Sequence, residues 1–277
     1  MKDLLFGTAG IPWSAKSGDT MGGIKEVKKL GLGSMELEFV RSINIRESKT
    51  PEVKTAAEKE NIVLSAHGPY WVNLNAQKRE TLEASRRWVL QSGRTAALCG
   101  AWSICFHAAY YMKQPHGSVY GQVKKELEAA VKQLRGEGLS IWIRPELGGK
   151  MSQFGGLEEI VRISAETEGV MPCIDFAHQH ARSMGKHNSY NDWSADLALV
   201  EKHLGREGLE NMHIHAAGIE YGMSGERNHV NLNDCKLNYT DLVQAWKDYK
   251  IKGVVISESP NIEEDALLLQ KTYNELK

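Results

Sequence analysis

Short apolar, β-branched runs recur eight times along this chain, and longer segments with a helical rhythm separate them. The runs are Leu4–Gly7, Ser34–Phe39, Ile62–His67, Trp102–His107, Ser140–Glu146, Met171–Asp175, Asn211–His215 and Gly253–Glu258. Between them, apolar residues recur every three to four positions, as in Ile24, Val27 and Leu30, Gln77–Leu98, Leu127–Leu134, Leu157–Ser164, Leu197–Leu204, Leu242–Tyr249 and Ala266–Tyr273. Neighbouring parallel strands need a crossover of a dozen or more residues, and a helix supplies it. Repetition of this unit therefore predicts an α/β fold with a parallel sheet. Eight units favour closure into a (β/α)8 or TIM barrel, which takes about 250 residues. The 277 residues form one such domain, 1–277, with no linker or low-complexity tract to divide them. No G-x-G-x-x-G follows the first run, which argues against a dinucleotide-binding sheet and a nucleotide cofactor.

Composition excludes several classes. A net charge of −1 rules out a broadly basic surface, though not a local basic patch. No apolar run reaches the roughly 20 residues of a membrane span. The start, MKDLLFGTAGIPW, lacks the h-region and cleavage site of a secretory signal, so a cytoplasmic location is expected. Cys99, Cys105, Cys173 and Cys235 form no C-x-x-C pair and read as reduced thiols. The barrel needs no partner to bury its core, so a monomer is expected. The polar stretch 181–193 reads as a long loop over the barrel mouth.

The informative pattern is where ionisable side chains fall. His67, His107, Glu146 and Asp175 end the third to sixth runs, His213 lies in the seventh, and Glu258 ends the eighth. Active sites of such barrels form at the C-terminal ends of the strands. A lone His or carboxylate there is ordinarily a hydrogen-bonded structural residue, but six in phase are not dismissed so easily. Buried unpaired, each is costly, and converging carboxylates repel. Divalent ions relieve both problems, and mixed nitrogen and oxygen donors suit Zn2+ or manganese. His178 lies three residues beyond Asp175, and His229 lies on a loop within reach of the mouth. His215 shares a strand face with His213 and is expected to support the ligands. Trp13, Tyr70 and Trp71 flank predicted strand ends, where they pack or stack on a ligand.

The strings HGPYWVNL at 67–74, FH at 106–107, PELGGKMSQFG at 145–155, CIDFAH at 173–178, MH at 212–213 and SESP at 257–260 resemble endonuclease IV. That is the apurinic/apyrimidinic endonuclease branch of the xylose-isomerase-like superfamily. The resemblance runs in order through the last three-quarters of the chain. It implies a zinc-dependent DNA repair hydrolase that cleaves the phosphodiester 5′ to an abasic site. It further implies three ions, with His67 and His107 on the first and Glu146 bridging the first and second. Asp175, His213 and Glu258 complete the second, and His178 and His229 hold the third. Glu146 and Glu258 are the implied catalytic carboxylates, Glu258 also orienting the attacking water. The family places an Asp two residues before its last His. Here that position is Arg227, and the nearest carboxylate is Glu226. A site with two or three Zn2+, or with Mn2+ or Mg2+, is thus the expectation. The resemblance also implies DNA contacts from Tyr70 and Arg41, and loop cations such as Lys113, Lys150, Arg182, Lys186 and Arg227 are further candidates for phosphate contact.

Two other readings remain open. Glu146, Asp175, His213 and Glu258 fit the single Mn2+ or Mg2+ site of a sugar isomerase or epimerase of the same superfamily equally well, with the two glutamates as the acid/base pair. A non-catalytic metal-binding barrel is the third. His67, His107 and His229 discriminate, because extra imidazoles imply extra ions.

Overall fold

The computed structural model describes residues 1–276. Its strands are β1 (Leu4–Ala9), β2 (Ser34–Glu38), β3 (Val63–His67), β4 (Ser103–Phe106), β5 (Trp142–Pro145), β6 (Cys173–Asp175), β7 (Met212–Ala216), β8 (Gly218–Gly222), β9 (Gly225–Val230) and β10 (Gly253–Ser257). The helices are α1 (Thr20–Lys29), α2 (Thr50–Glu60), α3 (Arg79–Leu98), α4 (His116–Gly136), α5 (Leu157–Glu166), α6 (Phe176–Arg182), α7 (Tyr190–Leu209), α8 (Tyr239–Asp248) and α9 (Glu263–Glu275).

Eight strands form one parallel sheet in the order β5-β4-β3-β2-β1-β10-β7-β6. Its two edges meet through isolated parallel bridges, Ile143 to Val170 and Glu146 to Cys173. These bridges all but close the barrel, so the predicted TIM-barrel fold is observed. Strands buried on both faces need apolar runs rather than alternation, and Ile104, Ile143, Ile174, Ile214 and Val254–Ile256 supply them. A side-chain carbon at Gly7 would lie 2.2 Å from the Ser34 carbonyl oxygen, so β1 and β2 meet only because Gly7 has none.

The helices begin at recognisable caps. Asp19 accepts from the Gly22 N–H at 2.7 Å to start α1, and Ser189 and Asp192 form a capping box on α7. Helix α2 has no strong apolar rhythm. Among its eleven residues only Thr50, Val53 and Ala57 are buried, so its pattern is nearly silent. It carries Pro51 in its first turn and is capped by Asn61 in the left-handed conformation.

Two segments differ from expectation. The stretch read as a loop over 181–193 contains the end of α6 and the start of α7, with only 183–189 between them. After β7 the chain makes an antiparallel hairpin, β8–β9, where a loop was expected. Gly222 and Gly225 pair across the turn residues Met223 and Ser224, and Gly225 takes a positive φ of 95° there.

The barrel interior is also unusual. Such barrels are ordinarily filled by branched apolar residues. Here Thr8, Glu36, Ser65, Ser103, Cys105, Arg144, Cys173, His213, His215 and Ser257 are all fully buried on the strands. Contacts between strands that are not neighbours in the sheet cross this interior. Ser103 Oγ meets His213 Nδ1 at 2.9 Å, and Glu36 lies 2.8 Å from His215 Nε2.

Candidate metal centre

The C-terminal ends of six strands converge on Glu146, immediately after β5. Its Oε2 lies 3.0 Å from His67 Nε2 and 3.4 Å from His107 Nδ1. Its Oε1 lies 3.3 Å from His215 Nδ1 and 3.5 Å from His178 Nδ1. Glu258, just beyond β10, approaches His215 Nδ1 at 3.5 Å and His229 Nδ1 at 3.8 Å. Asp175 ends β6 and accepts from the His178 backbone N–H at 2.7 Å, so one carboxylate caps α6 and aims His178 at the cluster.

Four donor sets lie at the mouth, each with ligand atoms within 4.8 Å of one another; one, His67, His215 and Glu258, draws only on members of the other three. Those three are His67, His107 and Glu146; Glu146, Asp175, His215 and Glu258; and Asp175, His178 and His229. Glu146 and Asp175 are each shared between two sets. Two rings are fixed as metal-ligating imidazoles usually are. The Gly68 carbonyl holds His67 Nδ1 at 2.6 Å, and the Leu147 carbonyl holds His178 Nδ1 at 2.9 Å. Each leaves Nε2 facing the cluster, the nitrogen that would give up its proton to ligate an ion. His107 Nδ1 and Asp175 Oδ2 are buried here without a hydrogen-bond partner. Orphaned groups of this kind are what an ion satisfies, so the residues fit divalent metal.

Electrostatics agree. Burial opposes charge on His67, yet its hydrogen bond to Glu146 and that carboxylate's charge push it up to about 10. Burial likewise opposes His178, while Asp175, Glu146 and Glu226 raise it to about 9. Burial alone dominates at His107 and brings it down to about 4. Glu258 is pushed well above the usual carboxylate range by burial, with Glu146 and Asp175 adding repulsion. Burial opposes charge on Glu146 too, yet His107, His215 and His67 hold it well below that range, so Glu258 is the carboxylate left short of positive charge.

The hairpin answers the question left by Glu226. Pairing runs Gly222–Gly225, Tyr221–Glu226, Glu220–Asn228 and Ile219–His229, and Arg227 is the extra, unpaired residue. A bulge of one residue shifts the side-chain phase by one. Glu226 and His229, three apart in sequence, therefore face the same way. His229 Nε2 lies 3.3 Å from His178 Nε2, and Glu226 Oε2 lies 3.6 Å from it. The opposing backbone clears the way, because a side-chain carbon at Gly149 would lie 2.7 Å from Glu226 Oε2 and 2.8 Å from the His178 ring. The Glu226 N–H donates to the Gly149 carbonyl at 3.0 Å and docks the hairpin there.

Above the donors lies a cavity of about 320 Å3, lined by Tyr70, Tyr110, Lys150 and Gln153 as well as by the ligand-type residues. Tyr70 is half exposed and packs edge-on to His67, with ring centroids 5.5 Å apart. Other exposed apolar side chains include Trp13, Trp71, Met112 and Met151.

One expectation needs correction, and two candidate DNA contacts, Arg41 and Arg182, stand apart from the cavity. His213 is not at the mouth. The β6–β7 register pairs Asp175 with His215 and Cys173 with His213. His215 is thus level with the strand ends, and His213 lies one layer deeper, 2.9 Å from Glu36. Arg41 is exposed beyond β2 and does not line the cavity. Arg182 is committed elsewhere, donating to the Gly148, Lys150 and Gln153 carbonyls and bracing the loop after β5. Sequence reasoning also missed Glu36 and Glu38 on β2, whose run SMELEF alternates apolar and acidic residues. Burial and the charge of Glu36 push Glu38 up to about 7. That alternation, in a strand otherwise expected to be buried, was the available signal.

Comparison with known proteins places this geometry. An uncharacterized protein of Methanocaldococcus jannaschii is 41% identical over 273 residues, 99% of this chain and 98% of that protein. Endonuclease IV from Thermus thermophilus superposes with a TM-score of 0.69 at 20% identity, over 96% of this chain and 97% of that one. A D-tagatose 3-epimerase-like protein superposes with a TM-score of 0.71 at 13% identity, over 97% and 96%. The 3-keto-D-glucoside 4-epimerase of E. coli gives 0.68 at 14% identity, over 98% and 100%. At such identities these structures share the fold with this chain, and fold alone does not assign a reaction. Residues 24–274 match the family described as xylose isomerase-like TIM barrel. The chain belongs to the xylose isomerase-like TIM barrel family.

Proposed function

We propose that this chain is a metal-dependent phosphodiesterase that hydrolyses DNA 5′ to an abasic site and works with three zinc ions. The observation that carries the reading is the third donor set. A single-metal isomerase has no use for His67, His107, Glu226 and His229 beside the four donors Glu146, Asp175, His215 and Glu258. The Arg227 bulge supports it further, since it restores a carboxylate where the sequence had lost one. In this reading His67, His107 and Glu146 would hold one ion. Asp175, His215 and Glu258 complete the second set, and His178, His229 and Glu226 form the third. Bound ions would lower the pKa of a water molecule and neutralise charge growing on the phosphate.

The side chains divide the remaining work. Glu258 reaches the cavity and orients the attacking water. Lys150, on the cavity wall, pairs with a phosphate oxygen. Tyr70 stands at the rim, where its ring fills the gap left by the missing base. A nucleotide without a base is the cheapest to extrude from the duplex, which favours this lesion. The net charge of −1 is no obstacle, because the ions add the positive charge at the contact.

The test is a duplex with one abasic site, incubated with zinc-loaded protein and followed on a denaturing gel. Cleavage 5′ to the lesion is expected, with more than one zinc per chain by elemental analysis. An intact duplex under Zn2+, Mn2+ and Mg2+, with one manganese per chain and turnover of a ketose, would overturn the reading in favour of an epimerase.

A further inference from the structure

A second cluster lies inside the barrel, one layer below the mouth. Ligand-type atoms of Cys105, Cys173, His213 and His215 all lie within 4.8 Å of one another, and all four residues are fully buried. They come from β4, β6 and β7 and meet across the interior. We infer that this cluster is a separate, sulfur-containing site for a thiophilic divalent cation, zinc in kind, held by Cys105, Cys173, His213 and His215. The inference does not depend on the reaction carried out at the mouth.

The geometry favours an ion over a network of hydrogen bonds. Ser103 Oγ holds His213 Nδ1 at 2.9 Å and leaves Nε2 as the lone-pair nitrogen, the usual outer support of a metal-bound imidazole. That Nε2 lies 2.9 Å from Glu36 Oε2, and His215 Nε2 lies 2.8 Å from Glu36 Oε1, so one buried carboxylate faces both donor nitrogens. His215 Nε2 lies 3.6 Å from Cys105 Sγ, close to the nitrogen–sulfur spacing of a tetrahedron with Zn–S of about 2.3 Å and Zn–N of about 2.0 Å. Two sulfurs and two imidazole nitrogens in tetrahedral array select zinc over the harder cations. Charge agrees as well. Two thiolates and Glu36 bring three negative charges, and Arg144, in register with Cys105 on β5, brings one positive. A divalent ion makes this buried set neutral, which burial at such depth requires. Ser65 Oγ donates to Glu36 Oε2 at 2.7 Å and holds the carboxylate beside the set.

His215 then serves both centres. Its Nδ1 faces Glu146 and Glu258 at the mouth, and its Nε2 faces the interior. Ligating both centres takes both ring protons, so a shared His215 would be an imidazolate, its one negative charge divided between the interior ion and the ions at the mouth. No short Cys motif announces the site, because Cys105 and Cys173 lie on strands separated by β5.

Zinc K-edge X-ray absorption on the full chain, purified and reloaded with zinc under reducing conditions, reads the sulfur directly. The mouth offers only nitrogen and oxygen, so a sulfur shell at about 2.3 Å reports the interior site alone. The expected result is that shell, lost together with one zinc per chain in the Cys105→Ser/Cys173→Ser double variant and kept in His107→Ala. Cobalt-loaded wild type should likewise show sulfur-to-metal charge-transfer absorption, which keeps the proposal testable if the double variant does not fold. A nitrogen and oxygen shell only in zinc-saturated wild type, or no charge-transfer band in the cobalt form, would overturn it and leave a hydrogen-bonded thiol–imidazole network.

Discussion

Deleting Arg227 tests the reasoning about the third donor set most directly. The residue is exposed and is the one unpaired position in the β8–β9 ladder. Without it, Glu226 and His229 stand two positions apart, and the period-two alternation of a strand keeps them on one face. The pairs on either side, Tyr221–Glu226 and Glu220–Asn228, become continuous. Arg227 is exposed and packs only across the hairpin turn, over Gly222, so its loss should cost about 0.5 kcal/mol and leave ion content within roughly twofold of wild type. Deleting Arg227 and Asn228 together has the opposite effect. Glu226 and His229 become neighbours and point to opposite faces, so one must leave His178. Losing an outer-shell support alone weakens metal sites about 10–100-fold, so losing a direct donor should cost at least about 100-fold, or ~2.7 kcal/mol. The assay is metal per chain after exhaustive dialysis, with abasic-site cleavage measured in parallel. The double deletion should lose one ion and the single deletion none. Loss of the ion on single deletion, or its retention on double deletion, would refute the bulge argument.

Three further outcomes follow from the same geometry. His107→Ala should remove one ion and reduce cleavage by at least about 100-fold, while an epimerase would keep its four-donor metal; elemental analysis of the variant separates the two. Chelation should lower the thermal midpoint by roughly 5–10 °C for each ion removed, because an ion at about 100 times its Kd adds about 2.7 kcal/mol to a chain of this size; an unchanged melt with and without zinc would contradict the donor sets. His187 gives a pH signature away from the metal ligands. Its Nε2 lies 2.8 Å from Asp196, and although burial opposes the charge, that hydrogen bond holds its proton above the ordinary value of 6.5. Burial also raises Asp196, so both groups bind protons more tightly when folded. The contribution of His187 is complete below 6.5 and is lost as pH rises beyond it. His187→Gln should flatten that slope in chemical denaturation of the metal-free protein.

Much of the fold was legible because it rests on local patterns. Strand runs and helical rhythm repeat at their own periods, and the crossover requirement turns repetition into a parallel barrel. Helix α2 escaped because its amphipathic face is only Thr50, Val53 and Ala57. The hairpin escaped because its strands alternate polar with polar, though Gly222 and Gly225 bracket the turn. Of the ligand-type residues, His67, His107, Glu146, Asp175 and Glu258 could be placed at the mouth because each ends its own strand run.

The sequence by itself determined the unit that repeats, the number of repeats and the residue that closes most of them. These depend on neighbours along the chain. Only the tertiary structure decided what depends on neighbours across it. His213 and His215 share a face and a chemistry, and the β6–β7 register alone sets His215 level with Asp175 and sends His213 into the interior. Glu226 joins His178 because a single unpaired residue resets the phase of a hairpin. Cys105 and Cys173 come together with the two histidines because closing the barrel turns opposite strands into neighbours, a contact that no spacing along the chain encodes.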